Sequence, residues 1–255
     1  MSGMLKRSCF FRQLGVVLLL PCSLQAQEGV PTALGWQSTA ELGAIFTSGN
    51  TEGSSFSGKL ESKQELQSWS NDYQLSAFFK EDNLKRADGT DYTEKSAERY
   101  QASLKSAYKL DKDHAELYGL ASHTHDEFGA YQRYSLLSVG YGDMLYVDQH
   151  KRWEAEIGPG YYQAKRADEQ DERGALLRAA TSFDWQFTET AAFRQKLTVE
   201  YSADNTRVQA ESSISAKING RMQMKAAFVV QSDSEVPVGK AKTDTQTSLT
   251  LVYAF

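Results

Sequence analysis

From residue 243 to Phe255 the chain alternates apolar and polar positions one for one. Leu249, Leu251, Tyr253 and Phe255 share one phase, and Asp244, Gln246, Ser248 and Thr250 share the other. A period of two is the period of a β-strand. An apolar outer face, a polar inner face and an aromatic at the end fit a transmembrane barrel strand. The edge strand of a soluble sandwich would give the same local pattern, so the rest of the chain has to decide.

Counting this one, twelve segments alternate in the same way. In 175–187, Ala175, Leu177, Ala179, Phe183, Trp185 and Phe187 oppose Arg178, Ser182, Asp184 and Gln186. Phe193, Leu197, Val199 and Tyr201 oppose Arg194, Lys196, Thr198 and Glu200, and Val208, Ala210, Ile214 and Ile218 oppose Arg207, Gln209, Glu211 and Lys217. Near the start, Trp36, Ala40, Leu42, Ala44 and Phe46 oppose Glu41 and its phase, and Phe56 and Leu60 oppose Lys59, Glu61, Lys63 and Glu65. Segments 69–83, 93–110, 153–164 and 221–232 follow suit. In 114–126 and 134–147 the alternation is less clean and leaves the facing open. Each segment runs about 10–18 residues, against about 9–11 needed to cross the hydrocarbon at a tilt.

Connections alternate between short and long. Ser68, 111–113, 188–190 and Asn219-Gly220 are short, and the last is a type I′ hairpin signal. The stretches 48–53, 84–92, 127–133, 165–174 and 233–241 are longer and polar, with 203–205 a short member of their set. This is the asymmetry of barrels with short periplasmic turns and longer external loops. An even strand count puts both chain ends on the periplasmic side. The predicted fold is all-β: a single closed antiparallel transmembrane β-barrel of about twelve strands. A soluble barrel with its apolar face turned inward has the same alternation. Rings near strand ends (Trp36, Tyr134, Tyr146, Trp153, Tyr201, Tyr253) favour lipid outside, because such rings settle at the membrane interface.

The N-terminus adds a route to the membrane. Lys6, Arg7 and Arg12 precede a short apolar run at 14–20, then Pro21 and a small residue at Ala26. The run is too short for a spanning helix and reads as a secretory signal peptide over 1–26, leaving 27–255 as the barrel domain. Cys22 also admits a lipoprotein reading. Both cysteines fall in the leader, so the expected mature chain has none. Losing the leader's three cations moves the net charge from −5 to about −8. No basic stripe appears, which argues against nucleic acid as a partner. Low mean hydropathy alongside 13 tyrosines and 12 phenylalanines suits a polar lumen inside an apolar band.

The candidate functional residues are charges on the polar phase: Glu41, Lys59, Glu61, Arg99, Lys105, Glu154, Glu156, Arg178, Asp184, Arg194, Lys196, Glu200, Arg207, Glu211 and Lys217. Both signs are interspersed. They either tune passage through a water-filled lumen or pair across strands and plug it. His123-Thr124-His125-Asp126 is the one local cluster with chemical potential. Histidines at i, i+2 share a face and could ligate a metal or act as a base, or they simply end a polar strand. No catalytic residue, cofactor or metal ligand is assigned. The loop 165–173 is dense in both signs, and reads as a solvated external loop or a contact for divalent cations or lipopolysaccharide.

Several stretches resemble one known family. These are GWQSTAELGAIFTSGNTEG at 35–53, Gly158-Pro159-Gly160-Tyr161, Leu177-Arg178 and Trp185. The end matches too, in Val236-Pro237-Val238-Gly239-Lys240, Lys242-Thr243-Asp244-Thr245 and Leu251-Val252-Tyr253-Ala254-Phe255. The chain resembles the YdiY-like, salt-induced outer-membrane proteins, a domain of unknown function in Gram-negative bacteria. The resemblance covers nearly all of the expected mature chain. It implies an outer-membrane barrel surrounded by lipid and lipopolysaccharide, exported through the periplasm, with an envelope or osmotic-stress role and no catalytic residues. A narrow diffusion channel and a surface-loop enzyme or adhesin stand as alternatives. The resemblance also implies that Tyr253 and Phe255 are read by the barrel-assembly machinery.

Overall fold

A computed structural model describes residues 34–47, 52–85, 90–110 and 115–255. The leader, the Ser-Gly-Asn-Thr turn at 48–51 and the turn with His114 lie outside the described residues. Among the described residues twelve strands follow one another. They are β1 (Gly35–Thr47), β2 (Glu52–Glu65), β3 (Trp69–Lys85), β4 (Asp91–Lys109), β5 (Ala115–Asp126) and β6 (Tyr131–Val147). Then come β7 (Lys151–Arg166), β8 (Asp171–Gln186), β9 (Ala191–Ser202), β10 (Thr206–Lys217), β11 (Met222–Asp233) and β12 (Thr243–Ala254). Each pairs antiparallel with its sequence neighbours, and β1 pairs β12 to close the barrel. Closure removes the free sheet edge along the paired stretch of the seam, as a barrel surrounded by lipid requires.

The closing seam is the shortest ladder. Its register runs over four residue pairs, Thr39↔Ala254 to Leu42↔Leu251. Phe255 and Ser38 then exchange backbone hydrogen bonds at 2.9 and 3.3 Å.

The register fixes the facing. Residues directly opposite across a ladder point to the same side. One phase carries Leu42, Leu60, Leu75, Leu104, Leu137, Ile157, Leu197, Ile214 and Leu251, all exposed on the outer surface. Trp36, Tyr73, Tyr108, Tyr141, Trp153, Trp185, Tyr253 and Phe255 edge this band at the rim where β1 begins and β12 ends, hereafter the lower rim. Tyr100, Tyr161 and Tyr201 edge it at the upper rim. The two segments of uncertain facing now resolve. Leu117, Ala121, His123 and His125 of β5 face out, as do Leu137, Val139 and Tyr141 of β6. Register shifts at 131/133 and 144/146 break the alternation in β6, which is why its sequence pattern blurs.

Three sequence expectations are corrected. The stretches 84–92 and 165–174 are strand at both ends: β3 runs to Lys85 and β4 starts at Asp91, while β7 runs to Arg166 and β8 starts at Asp171. Above the membrane both faces of a strand meet water, so its residues are polar throughout and read as loop. Asn219-Gly220 is not a type I′ turn, because neither residue has a positive φ. Instead Asn219 Oδ1 accepts the N–H groups of Arg221 and Met222, both at 2.9 Å, in a wider turn. Tyr134 is not an interface ring but points into the barrel and is buried. At the lower rim Asp148 makes a comparable turn. Its carboxyl is held below the usual carboxylate range by the N–H of His150, by the Tyr146 hydroxyl and by the N–H of Lys151.

At Gly158 and Gly140 the backbones of β6 and β7 leave no room for a side chain. The register passes from Ser138↔Gly160 to Tyr141↔Ile157 without regular partners between. A Cβ on Gly158 would lie 2.0 Å from the Val139 carbonyl oxygen. One on Gly140 would lie 2.4 Å from the Ile157 carbonyl oxygen and 2.7 Å from the Tyr118 ring. Both obstacles include backbone, which cannot move aside alone. Gly158→Ala is therefore expected to destabilise the refolded barrel by about 1–3 kcal/mol or more. Gly220→Ala, with open space around it, is expected to change nothing measurable. Urea unfolding in detergent micelles checks both, and equal midpoints would refute the close approach.

Candidate functional site: the lumen

The inward phase is identified by bonds that no pair of neighbouring strands could make. Lys105 of β4 lies 2.5 Å from Glu156 of β7. Tyr134 of β6 donates to Glu200 of β9 at 2.8 Å. Lys225 of β11 reaches Glu41 of β1 at 3.0 Å, and Lys196 of β9 reaches Glu61 of β2 at 3.9 Å. Such contacts run through the interior of the barrel.

The lumen fills in three levels. At the lower end Glu65 accepts from Ser70 at 3.1 Å and is paired with Lys109, with Lys63 3.5 Å away. Lys217 stands on the inward phase at the lower end of β10. The middle level is a network of alternating charge. Lys105 sits 2.5 Å from both Glu116 and Glu156, and Glu156 also takes Arg178 at 2.8 Å. The Tyr118 ring lies 5.4 Å from Lys105 and 5.8 Å from Arg178. On the opposite wall Glu61 holds Lys59 at 2.8 Å, and Lys225 bridges Glu41 at 3.0 Å and Glu211 at 3.1 Å. Asp184 pairs with Arg194, and Glu154 with Arg152. Across the ladders opposite signs face each other at Arg152↔Asp184, Asp184↔Arg194 and Glu211↔Lys196, the arrangement in which cross-strand pairs stabilise rather than repel.

The upper level divides in two. Against β6–β11 the barrel is plugged. Arg207 is buried, 2.9 Å from Asp233, with its guanidinium 4.0 Å from the Tyr134 ring centre and 4.7 Å from that of Tyr131. Its Nη2 has no hydrogen-bond partner, and the two ring faces supply the remaining attraction. Asn205 donates to Asp233 at 2.7 Å. Tyr134 stacks on Tyr162, and Leu136, Ala164 and Leu176 close in around them with Val236. Against β1–β4 and β12 the same level stays open, as a cavity of about 540 Å³. Its wall carries Ser55, Ser57, Gln231 and Gln246, with the Arg99–Asp126 pair, closed at 2.6 Å, on its far side.

Most of the candidate charges meet in ion pairs on this lining, Lys217 standing apart and exposed, and sequence reasoning missed its aromatic half together with Glu116, Lys109 and Asp233. Tyr118 shares a phase with Glu116, and Tyr162 with Glu156, so their facing was available in the pattern. Which charges meet across the lumen was not. The His-Thr-His-Asp cluster does not act as a unit. His123 and His125 face outward, whereas Asp126 turns inward to Arg99 and to the N–H of Gly129 at 2.9 Å. His123 Nδ1 is 2.8 Å from Ser135 Oγ, and His125 tilts against Tyr100 near Glu127. Among the described residues no three His, Cys, Asp or Glu side chains gather as metal donors.

Comparison with known proteins agrees with this architecture. Residues 40–255 match the model of a family described as protein of unknown function, DUF481. The chain is 32% identical over 162 residues to the uncharacterized protein YdiY of Escherichia coli (strain K12), spanning 63% of this chain and 64% of that protein's length. Among solved structures it is similar to the COG4313 outer membrane channel from Pseudomonas putida F1. That likeness has a TM-score of 0.53 at 9% identity, covering 88% of this chain and 97% of that one. It is also similar to the NanC porin, with a TM-score of 0.52 at 8% identity, covering 85% and 98%. At such identities the likeness speaks for the fold, an outer-membrane β-barrel. From the family model and the YdiY match together, the chain belongs to the YdiY-like DUF481 family.

Proposed function

We propose that the protein is a non-enzymatic outer-membrane barrel with a structural role in the cell envelope, its lumen braced shut rather than open to diffusion. The observation that carries this reading is the set of bonds between non-neighbouring strands, above all Lys105–Glu156, Tyr134–Glu200 and Lys225–Glu41. A solute passing through would have to break charge-assisted hydrogen bonds at the middle level and displace the tyrosine cluster above. Each wall of charge is already neutralised by its neighbours, which leaves little field to select an ion. In this reading the chain is exported through the periplasm and inserted by the barrel-assembly machinery. Tyr253 and Phe255 stand exposed and stacked at 6.2 Å on the lower outer edge, where such machinery could read them.

A narrow channel is the second reading. It is favoured by the open cavity at the upper level and by the name of the solved neighbour, an outer membrane channel. Planar-bilayer recording of the refolded protein separates the two. The braced barrel is expected to insert without steady conductance steps. Reproducible open steps from the unmutated protein would reject it in favour of the channel.

A further inference from the structure

The upper rim of the outer face is not uniform. Around β11 and β12 it presents hydroxyls, including Ser232 bonded to Thr243 at 3.0 Å, then Thr245 and Thr247. Around β6–β8 it presents cations. Arg133 lies directly opposite Lys165 across the β6–β7 ladder. Arg173 lies opposite Gln163 one step lower, diagonal to Lys165. All three side chains share the outer phase, since the inward phase here is taken by Tyr134, Tyr162 and Glu172. Arg133 and Arg173 are exposed, and neither forms an ion pair among the described residues. Lys165 pairs with Glu169, and Asp171 lies opposite it.

Two like charges directly opposite on one face of a ladder are destabilising. Arg133 and Lys165 nevertheless sit so, and Arg173 adds a third cation around the neutral Gln163. A bound anion would turn this repulsion into attraction. The height on the barrel says which anion. Tyr161 and Leu137, two residues below Gln163 and Ser135 on their strands, belong to the apolar belt, and Tyr161 is one of its upper edge rings. The cations therefore stand where lipid headgroups begin. In the proposed orientation, with the lower rim on the periplasmic side, this is the external leaflet.

We propose that Arg133, Lys165 and Arg173 form a binding site for the phosphate groups of lipopolysaccharide. The inference rests on the outer-membrane placement and not on whether the lumen conducts. Arg suits the role because its planar fork pairs two phosphate oxygens at once.

The test uses the full barrel refolded in detergent, incubated with purified lipopolysaccharide and separated by size exclusion. Lipopolysaccharide retained per barrel is the readout. The wild-type protein is expected to retain it, and to retain dephosphorylated lipopolysaccharide severalfold less. The double variant Arg133→Gln/Arg173→Gln is expected to show the same severalfold loss, with Arg133→Lys/Arg173→Lys, which keeps the charge but loses the fork, retaining an intermediate amount. Folding of each variant is checked by its shifted mobility on unheated gels. Should the double variant not fold, Arg173→Gln alone and the dephosphorylated ligand on wild type decide. Equal retention of the dephosphorylated ligand overturns the proposal. So does wild-type retention by the glutamine variants, or equal competition by phosphatidylglycerol, which would mean attraction to any anionic lipid.

Discussion

Replacing Asp233 with alanine is expected to lower the unfolding free energy by about 3–5 kcal/mol, the cost of stranding one member of a buried ion pair. Arg207 and Asp233 are 6% and 4% exposed, the most enclosed opposite charges in the barrel interior described here. Without Asp233 the guanidinium keeps the two tyrosine faces and a neighbouring carboxylate, Glu200, already engaged by Tyr134. Asn205 loses its acceptor as well. Removing both charges with apolar replacements, Arg207→Met with Asp233→Leu, is expected to recover most of the loss, since a paired charge and a packed apolar pair of similar volume come out near even. Arg152→Ala serves as the control. Its pair with Glu154 is over a third exposed, so the loss should stay below about 1 kcal/mol. Urea titration followed by tryptophan fluorescence reads all three variants against the wild type. A loss under 1 kcal/mol for Asp233→Ala would show that the upper plug is hydrated and not a packed element.

The outer face offers the second large effect. An arginine at the bilayer midplane of a barrel costs about 2–4 kcal/mol, falling towards zero at the interfaces. Leu197 lies midway between Phe193 and Tyr201 on β9, with Thr181 and Ala210 beside it. Leu197→Arg is expected to show the full cost in lipid vesicles. Leu177→Arg should cost less, because Leu177 is paired with Tyr201 near the upper edge of the belt. Ser182→Arg points into the lumen, directly opposite Glu154, and should be tolerated within about 1 kcal/mol. If Ser182→Arg proved the most damaging of the three, the apolar phase would not be the one in lipid.

The strands themselves were plain in the sequence because each carries its own two-residue period, and a barrel built of hairpins asks little else of local pattern. Facing was plain wherever that period ran unbroken, as in β8 and β9. It blurred in β6, where two register shifts swap phases, and tyrosine compounds the difficulty. Tyr134 inside and Tyr161 outside are chemically the same residue, since a ring with a hydroxyl suits both a packed lumen and a headgroup region. The lumen was half legible for a different reason. A charge on the inward phase announces itself, but the partners that span the lumen lie two or more strands away and are set by strand tilt, which no local pattern encodes. Lys105 meeting Glu156 and Lys225 meeting Glu41 are facts of closure.

Closure also sets a temporal order. Eleven ladders join strands adjacent in sequence, whose loops are short and cheap to form. The twelfth joins β1 to β12 by only four residue pairs, and at it Thr250 meets Glu41 across 209 positions of chain. Ordering so long a loop costs more entropy than any hairpin, though the cost grows only with the logarithm of length. The seam therefore completes last, when the other strands have already brought its two edges together. It also has the fewest backbone bonds resisting separation, so amide exchange should be fastest there among the membrane-crossing ladders. Lys225 counters this from inside: reaching past β12 to Glu41, it ties the strand before the seam to the strand after it. The salt bridge is a latch on the one joint that sequence proximity does not hold.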